Sequence, residues 1–177
     1  SNHKGAITVQ SEPGQGSTFT LYLPAVDAAA QEAVLPSAQL QSGQATILLV
    51  DDEPFITEVE SAILENLGHT VQVCNSGAEA LAYYRDHYKH IDLVILDIVM
   101  PGMNGEETFL GLRSINPEVK VLLASGYSAE GQAEKLLQMG CKGFLQKPFT
   151  SSLLSRKVME IWKGEPAPPD NPPASEH

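Results

Sequence analysis

Between residues 45 and 163, short apolar runs alternate with helix-length segments, and four of these runs end on residues able to do chemistry. Thr46-Ile-Leu-Leu-Val50 ends at Asp51 and Asp52, and Ile91-Asp-Leu-Val-Ile-Leu96 ends at Asp97. Ser125 follows Val119-Lys-Val-Leu-Leu-Ala124, and Lys147 follows Gly143-Phe-Leu-Gln146. Continuous hydrophobic runs of this length read as strands buried on both faces, the situation of a parallel sheet between helical layers. In an open parallel sheet the carboxyl ends of the strands share one edge, and ligands bind there. The pattern therefore predicts an α/β fold that gathers three acids, a hydroxyl and one ammonium into a single pocket.

The intervening segments carry helix signals. Pro54 stands at the first turn of a helix with apolar residues at Ile56, Val59, Ile63 and Leu67, and Gly68 is placed to end it. A short strand, His69 to Cys74, follows. Ser76-x-x-Glu79 is a capping box for a second helix that turns Leu81 and Tyr84 inward, and Asn104-x-x-Glu107 opens a third with Phe109 and Leu112 inward. A fourth helix is expected from about Ala129 to Met139, weakened by Gly131 and stopped by Gly140. Thr150 reads as the N-cap of a fifth, with Leu154, Val158 and Ile161 facing in. Repeated strand-then-helix units give a parallel sheet, and the richest apolar runs, 46–50 and 91–96, are expected at its centre.

Outside this unit the character changes. Residues 25–44 are rich in Ala, Gln and Ser and read as a linker, and residues 164–177 hold five prolines and read as a disordered tail. Ile7-Thr-Val-Gln10 and Thr18-Phe-Thr-Leu-Tyr-Leu23 alternate as a β-hairpin around Pro13-Gly14-Gln15-Gly16. The net charge of −11 argues against nucleic-acid binding, because nothing here neutralises a phosphate backbone. No apolar run approaches the roughly 20 residues needed to span a bilayer, and no signal peptide opens the chain. Cys74 and Cys141 fall on opposite edge strands, which predicts reduced thiols and a cytoplasmic location.

The pocket's chemistry follows from its charges. Adjacent carboxylates with a third acid nearby repel one another until a cation neutralises them. Mg²⁺ does this with one or two carboxylates plus phosphate oxygens. A carboxylate can also attack phosphorus to form an aspartyl phosphate, with positive charge needed on the transferring oxygens. Lys147 supplies such charge, and Ser125 supplies a hydroxyl donor. The set is complete for placing a phosphoryl group on Asp97.

Residues 46–163 resemble the receiver domain of two-component response regulators. The likeness rests on Leu-Leu-Val-Asp51-Asp52-Glu53, Leu96-Asp97-Ile98-Val99-Met100-Pro101-Gly102-Met103-Asn104-Gly105, Ala124-Ser125-Gly126 and Lys147-Pro148-Phe149. It implies a flavodoxin-like, doubly wound, five-stranded parallel sheet of order 2-1-3-4-5 with five helices. It also implies Asp97 as phospho-acceptor, with Lys147 and Ser125 assisting. Mg²⁺ would be held by Asp52 and Asp97, by Asp51 through water and by the backbone carbonyl of Val99. A cis peptide before Pro148 is expected as well. Ser125 and Phe144 would form the switch, reporting through the face made by the fourth helix, fifth strand and fifth helix. Val99 and Tyr127 carry no group to hold a hydrolytic water in line, which predicts a phosphoryl lifetime of minutes or more.

Residues 3–24 resemble the closing strands of the ATP-binding domain of sensor histidine kinases, without that domain's nucleotide-binding asparagine or glycine boxes. Together the two likenesses imply the carboxyl-terminal piece of a hybrid histidine kinase, in which any membrane attachment is expected in the missing amino-terminal region. The expected partner is a kinase histidine domain or a His-containing phosphotransfer protein. Dimerisation is expected through the hairpin or the fourth-helix, fifth-strand, fifth-helix face. His87 and His90 show no ligand pattern and read as surface residues. A haloacid-dehalogenase-like phosphohydrolase would need a second acid where Val99 stands. A flavodoxin-like cofactor binder would need a phosphate-cradling loop where Asp51-Asp52-Glu53 stands. With no DNA-binding domain after Trp162, the module is expected to accept a phosphoryl group and signal its presence, catalysing only its own modification.

Overall fold

The computed structural model describes residues 5–22, 42–126 and 130–164, which fall into two separate units. The first is the hairpin: β1 (Ala6–Glu12) pairs antiparallel with β2 (Gly16–Tyr22), with Val9 opposite Phe19. The Gln15 amide donates to Glu12 O at 3.0 Å to close the turn. Gly14 and Gly16 take positive φ values of 78° and 91°, a conformation that side chains resist.

The second unit alternates strand and helix: β3 (Thr46–Val50), α1 (Pro54–Asn66), β4 (Thr70–Cys74), α2 (Gly77–His87), a 3-10 turn (Tyr88–His90), β5 (Leu93–Asp97), α3 (Gly105–Ile115), β6 (Val121–Ser125), α4 (Glu130–Gln138), β7 (Gly143–Gln146) and α5 (Ser151–Lys163). Its strands form one parallel five-stranded sheet in the order β4-β3-β5-β6-β7, the expected 2-1-3-4-5. The chain moves outward from β3 to β4, then crosses back to β5, so the topological switch point lies between β3 and β5.

The period-2 alternation of side chains divides the core in two. Leu48, Val50, Val94, Leu96, Val121 and Leu123 meet Tyr84, Phe109, Leu112 and Leu136 from α2, α3 and α4. Ile47, Leu49, Leu93, Ile95 and Leu122 meet Leu64, Leu154, Val158 and Ile161 from α1 and α5. Because both faces are covered, every strand residue from Leu93 to Asp97 and from Val121 to Ser125 is buried.

The caps hold the helices where the site needs them. Asn104 accepts from the Glu107 amide at 2.9 Å while the Glu107 carboxylate accepts from the Asn104 amide at 3.1 Å, a full reciprocal box. Ser76 caps Glu79 similarly, but the Glu79 carboxylate reaches one residue further back, to the Asn75 amide at 2.8 Å. A Cβ on Gly105 would lie 2.7 Å from the Asp97 carbonyl oxygen, so glycine lets the start of α3 press against the end of β5. Gly68 (φ 90°) follows α1 as expected.

Three strands begin later than the sequence suggests, β6 among them, at Val121 rather than Val119. His69 closes the turn after α1, its amide donating to Leu64 O at 3.1 Å and its Nδ1 accepting from the Ala45 amide at 3.2 Å. Asp92 is likewise occupied in accepting from the Thr46 amide at 2.8 Å, and β5 starts at Leu93. The expected linker and tail lie outside the described residues except at their inner ends. There, the Gly43 amide donates to Leu67 O at 3.0 Å, and Gly164 closes α5.

Candidate phosphoryl-transfer site

The end of β3 carries Asp51 and Asp52, the end of β5 carries Asp97, the end of β6 carries Ser125, and Lys147 follows β7. The sheet register therefore brings together five side chains separated by as many as 96 positions. One carboxylate oxygen from each of Asp51, Asp52 and Asp97 lies within 4.8 Å of the others. Asp51 and Asp97 are buried, Asp52 is half-buried, and Ser125 is buried at the strand end.

Lys147 is tied into the cluster from both backbone and side chain. Its amide donates to the Ser125 carbonyl at 2.8 Å, and its ammonium donates to Asp51 Oδ2. The same ammonium lies 3.7 Å from Asp97 Oδ1. The Lys147–Pro148 peptide is cis, as the resemblance implied. The other Asp51 oxygen, Oδ1, accepts from the Glu53 amide at 2.9 Å, which orients that carboxylate.

Burial raises the Asp97 pKa to about 6. Lys147 pulls it down and Asp51 pushes it up, while the Ile98 amide lowers it and Asp52 raises it again. For Lys147 burial works against the charged form, but the hydrogen bond it donates to Asp51 and the charges of Asp97 and Asp51 outweigh it, so its pKa rises. The lysine therefore stays an ammonium, and the Asp97 carboxyl loses its proton at about pH 6. Three hard oxygen donors beside one ammonium suit Mg²⁺ better than a thiophilic or imidazole-seeking metal.

Asp97, Ser125 and Lys147 share a cavity of about 560 Å³ whose other walls come from α1 and from Pro148 and Phe149. Val99 stands at its rim with its side chain more than half exposed. Phe144 is half-buried on β7 and packs against the α2–α3–α4 side of the core. Tyr127 lies outside the described residues. His87 and His90 are exposed, as read from the sequence.

Sequence reasoning passed over Glu60. This residue of α1 is 4% exposed and lines the same cavity, where burial raises its pKa to about 7. Lys147 lowers that value, while Asp51 and Asp97 raise it. A signal was present: Ile56, Glu60 and Ile63 stand at i, i+4 and i+7, so the acid interrupts one apolar stripe. The fully buried positions of α1 are in fact Thr57, Glu60 and Leu64, while Val59, one of the expected apolar positions, is 44% exposed.

Comparison with known proteins agrees with this geometry. Residues 47–159 match the model of the response regulator receiver domain. The chain is 37% identical over 166 residues to the sensor kinase CckA of Brucella abortus, an alignment longer than the receiver segment that covers 89% of this chain. That alignment takes in only 18% of the relative's length. A receiver domain protein from Clostridium thermocellum superposes with a TM-score of 0.66 at 28% identity, covering 68% of this chain and 95% of that one. A CheX–CheY–BeF3–Mg complex from Borrelia burgdorferi gives 0.63 at 29% identity, covering 66% and 88%. The fold is that of the receiver, the phospho-accepting module of two-component systems, and the chain belongs to the response regulator receiver family.

Proposed function

We propose that this receiver takes a phosphoryl group from a phosphohistidine onto Asp97 and that Asp51, Asp52, Asp97 and the Val99 carbonyl hold the Mg²⁺ that assists. The supporting observation is the convergence of three carboxylates within 4.8 Å with a lysine ion-paired among them. The Mg²⁺ and BeF3 in the related Borrelia complex agree with it. An Asp97 carboxylate oxygen attacks phosphorus in line, the nitrogen–phosphorus bond breaks, and the imidazole leaves with the bonding pair. The metal, when bound, neutralises charge on the phosphoryl oxygens. Lys147 contributes its ammonium to the same group, and Ser125 its hydroxyl.

The donor is a histidine domain of a kinase or a His-containing phosphotransfer protein. It docks on the apolar rim beside Asp97, where Phe55 and Val59 are exposed. Ser125 and Phe144 then pass the change to the surface of α4, β7 and α5, a face that also serves dimerisation. The absence of a carboxylate or amide at Val99 favours a phosphoryl lifetime of minutes or more, and disfavours a turnover phosphohydrolase. The likeness to sensor kinases supports a hybrid kinase as the whole protein. In that protein the hairpin face formed by Ile7, Val9, Phe19 and Leu21 would meet the rest of the ATP-binding domain, or pair with another copy.

The test is incubation with acetyl phosphate and Mg²⁺, read by intact mass. Wild type gains one phosphoryl group, Asp97→Asn gains none, and chelation abolishes the gain. A wild-type mass that never changes removes the assignment. Decay of the modified protein within seconds removes the long-lifetime reading alone.

A further inference from the structure

Glu60 is the one buried acid of the cavity that the proposed chemistry leaves without a task among the described residues. Its side chain is 4% exposed, and Oε2 has no hydrogen-bond donor among the described residues. An ionised carboxylate without a partner is costly in an interior and is tolerated where opposite charge compensates it. The wall around it is apolar, with Ile56, Val59, Ile63 and Phe149 lining the same cavity, so the fields of nearby charges are weakly screened. The charged groups that act on it come from three different strand ends: Asp51 from β3, Asp97 from β5 and Lys147 after β7.

Glu60 stands outside the tight group formed by Asp51, Asp52 and Asp97, so it is not a direct ligand of a cation held there. Lys147 currently divides its ammonium between Asp51 and Asp97. A divalent cation taken up by those carboxylates claims the same oxygens and repels the ammonium. Glu60 is the acid within electrostatic reach of Lys147 that the cation leaves free.

We propose that Glu60 is a positioning residue of the phosphoryl site, a negative charge on α1 that lets Mg²⁺ and the Lys147 ammonium occupy the cavity together. This rests on the reading of Asp51, Asp52 and Asp97 as the metal-binding acids. The task is distinct from theirs: Glu60 acts through Lys147 and through the field, touching neither metal nor phosphoryl group. Its effect is felt first in how tightly Mg²⁺ binds.

Calorimetric titration of the full chain with MgCl2 tests this, using wild type, Glu60→Gln, Glu60→Asp and Glu60→Met at about pH 8 and about pH 6. At the higher pH, Glu60→Gln and Glu60→Met weaken Mg²⁺ roughly tenfold, and Glu60→Asp keeps most of the affinity. At the lower pH, the Glu60 carboxyl already carries its proton, because burial holds its pKa at about 7. Wild type and Glu60→Gln then converge to within about twofold. Without metal, Glu60→Gln and Glu60→Met melt above wild type, since a buried charge without a partner has gone. Wild-type Mg²⁺ affinity in both neutral variants overturns the proposal, as does an equal loss at both pH values, which marks a packing role. If Glu60→Gln does not fold, Glu60→Met carries the same test. A wild type that is phosphorylated on Asp97 while the neutral variants bind Mg²⁺ normally overturns this inference alone. A wild type that binds no Mg²⁺ overturns the site assignment with it.

Discussion

The hairpin and the receiver sheet are built from similar residues, yet they stand at opposite extremes of burial. Every residue of β1 and β2 is exposed, including Phe19 at 69% and Ile7 at 66%. Every residue of β5 and β6 is buried. Strand formation in the hairpin is local: alternating β-branched and aromatic residues pair across a turn whose two glycines take positive φ. Strand formation in the receiver is a tertiary matter, since parallel neighbours are brought together only by helices that cover them. Apolar side chains on the hairpin therefore contribute little to the stability of this chain, and the same side chains in the sheet contribute most of it.

The largest effect expected on that contrast is functional. Asp97→Asn abolishes phosphorylation by acetyl phosphate, whereas deleting residues 1–24 leaves it unchanged, both read by intact mass. A truncated chain that no longer accepts phosphate would show that the two units cooperate. Next comes packing: Phe109→Ala, at a position with no exposure, costs about 3–5 kcal/mol in urea unfolding. Phe19→Ala, on the exposed hairpin face, shifts the same transition by less than about 0.5 kcal/mol.

The stability also depends on pH without metal. The Glu60 and Asp97 carboxyls sit at about 7 and about 6 in the fold, above their ordinary values of 4.5 and 3.8. Below those ordinary values both states hold the protons and the stabilisation is complete. It is lost as the pH rises through about 6 to 7, where the folded protein must give them up. The melting temperature in chelator is therefore higher near pH 5 than near pH 8, a trend that Mg²⁺ reverses by stabilising the ionised acids. At a cap the effect is modest: Asn104→Ala removes one half of the α3 box and costs about 1 kcal/mol.

Much of the site was legible because strand ends in a parallel sheet are determined by where apolar runs stop. Asp51, Asp52, Asp97, Ser125 and Lys147 all end such runs, and the sheet order then places them on one edge. The caps were equally plain, since Ser76, Asn104 and Thr150 act on amides a few residues away. Glu60 was not legible as a site residue, because a helix declares which residues share a face but not how that face is rotated against its neighbours. Ile56, Val59 and Ile63 suggested the inward stripe, and packing against β3 and β4 turned Thr57, Glu60 and Leu64 furthest in.

The sequence by itself determined the strand and helix alternation, the residues at each strand end and the local caps, because these depend on periodicity and on neighbours along the chain. Only the tertiary structure decided how the charges are shared. Lys147 bonds to Asp51 while standing 3.7 Å from Asp97, and Asp97 is held near neutrality by burial. Glu60 is left in the cavity with an oxygen that has no donor among the described residues. Electrostatic energy depends on distance and on exclusion of water, and both are set when the helices close over the sheet edge.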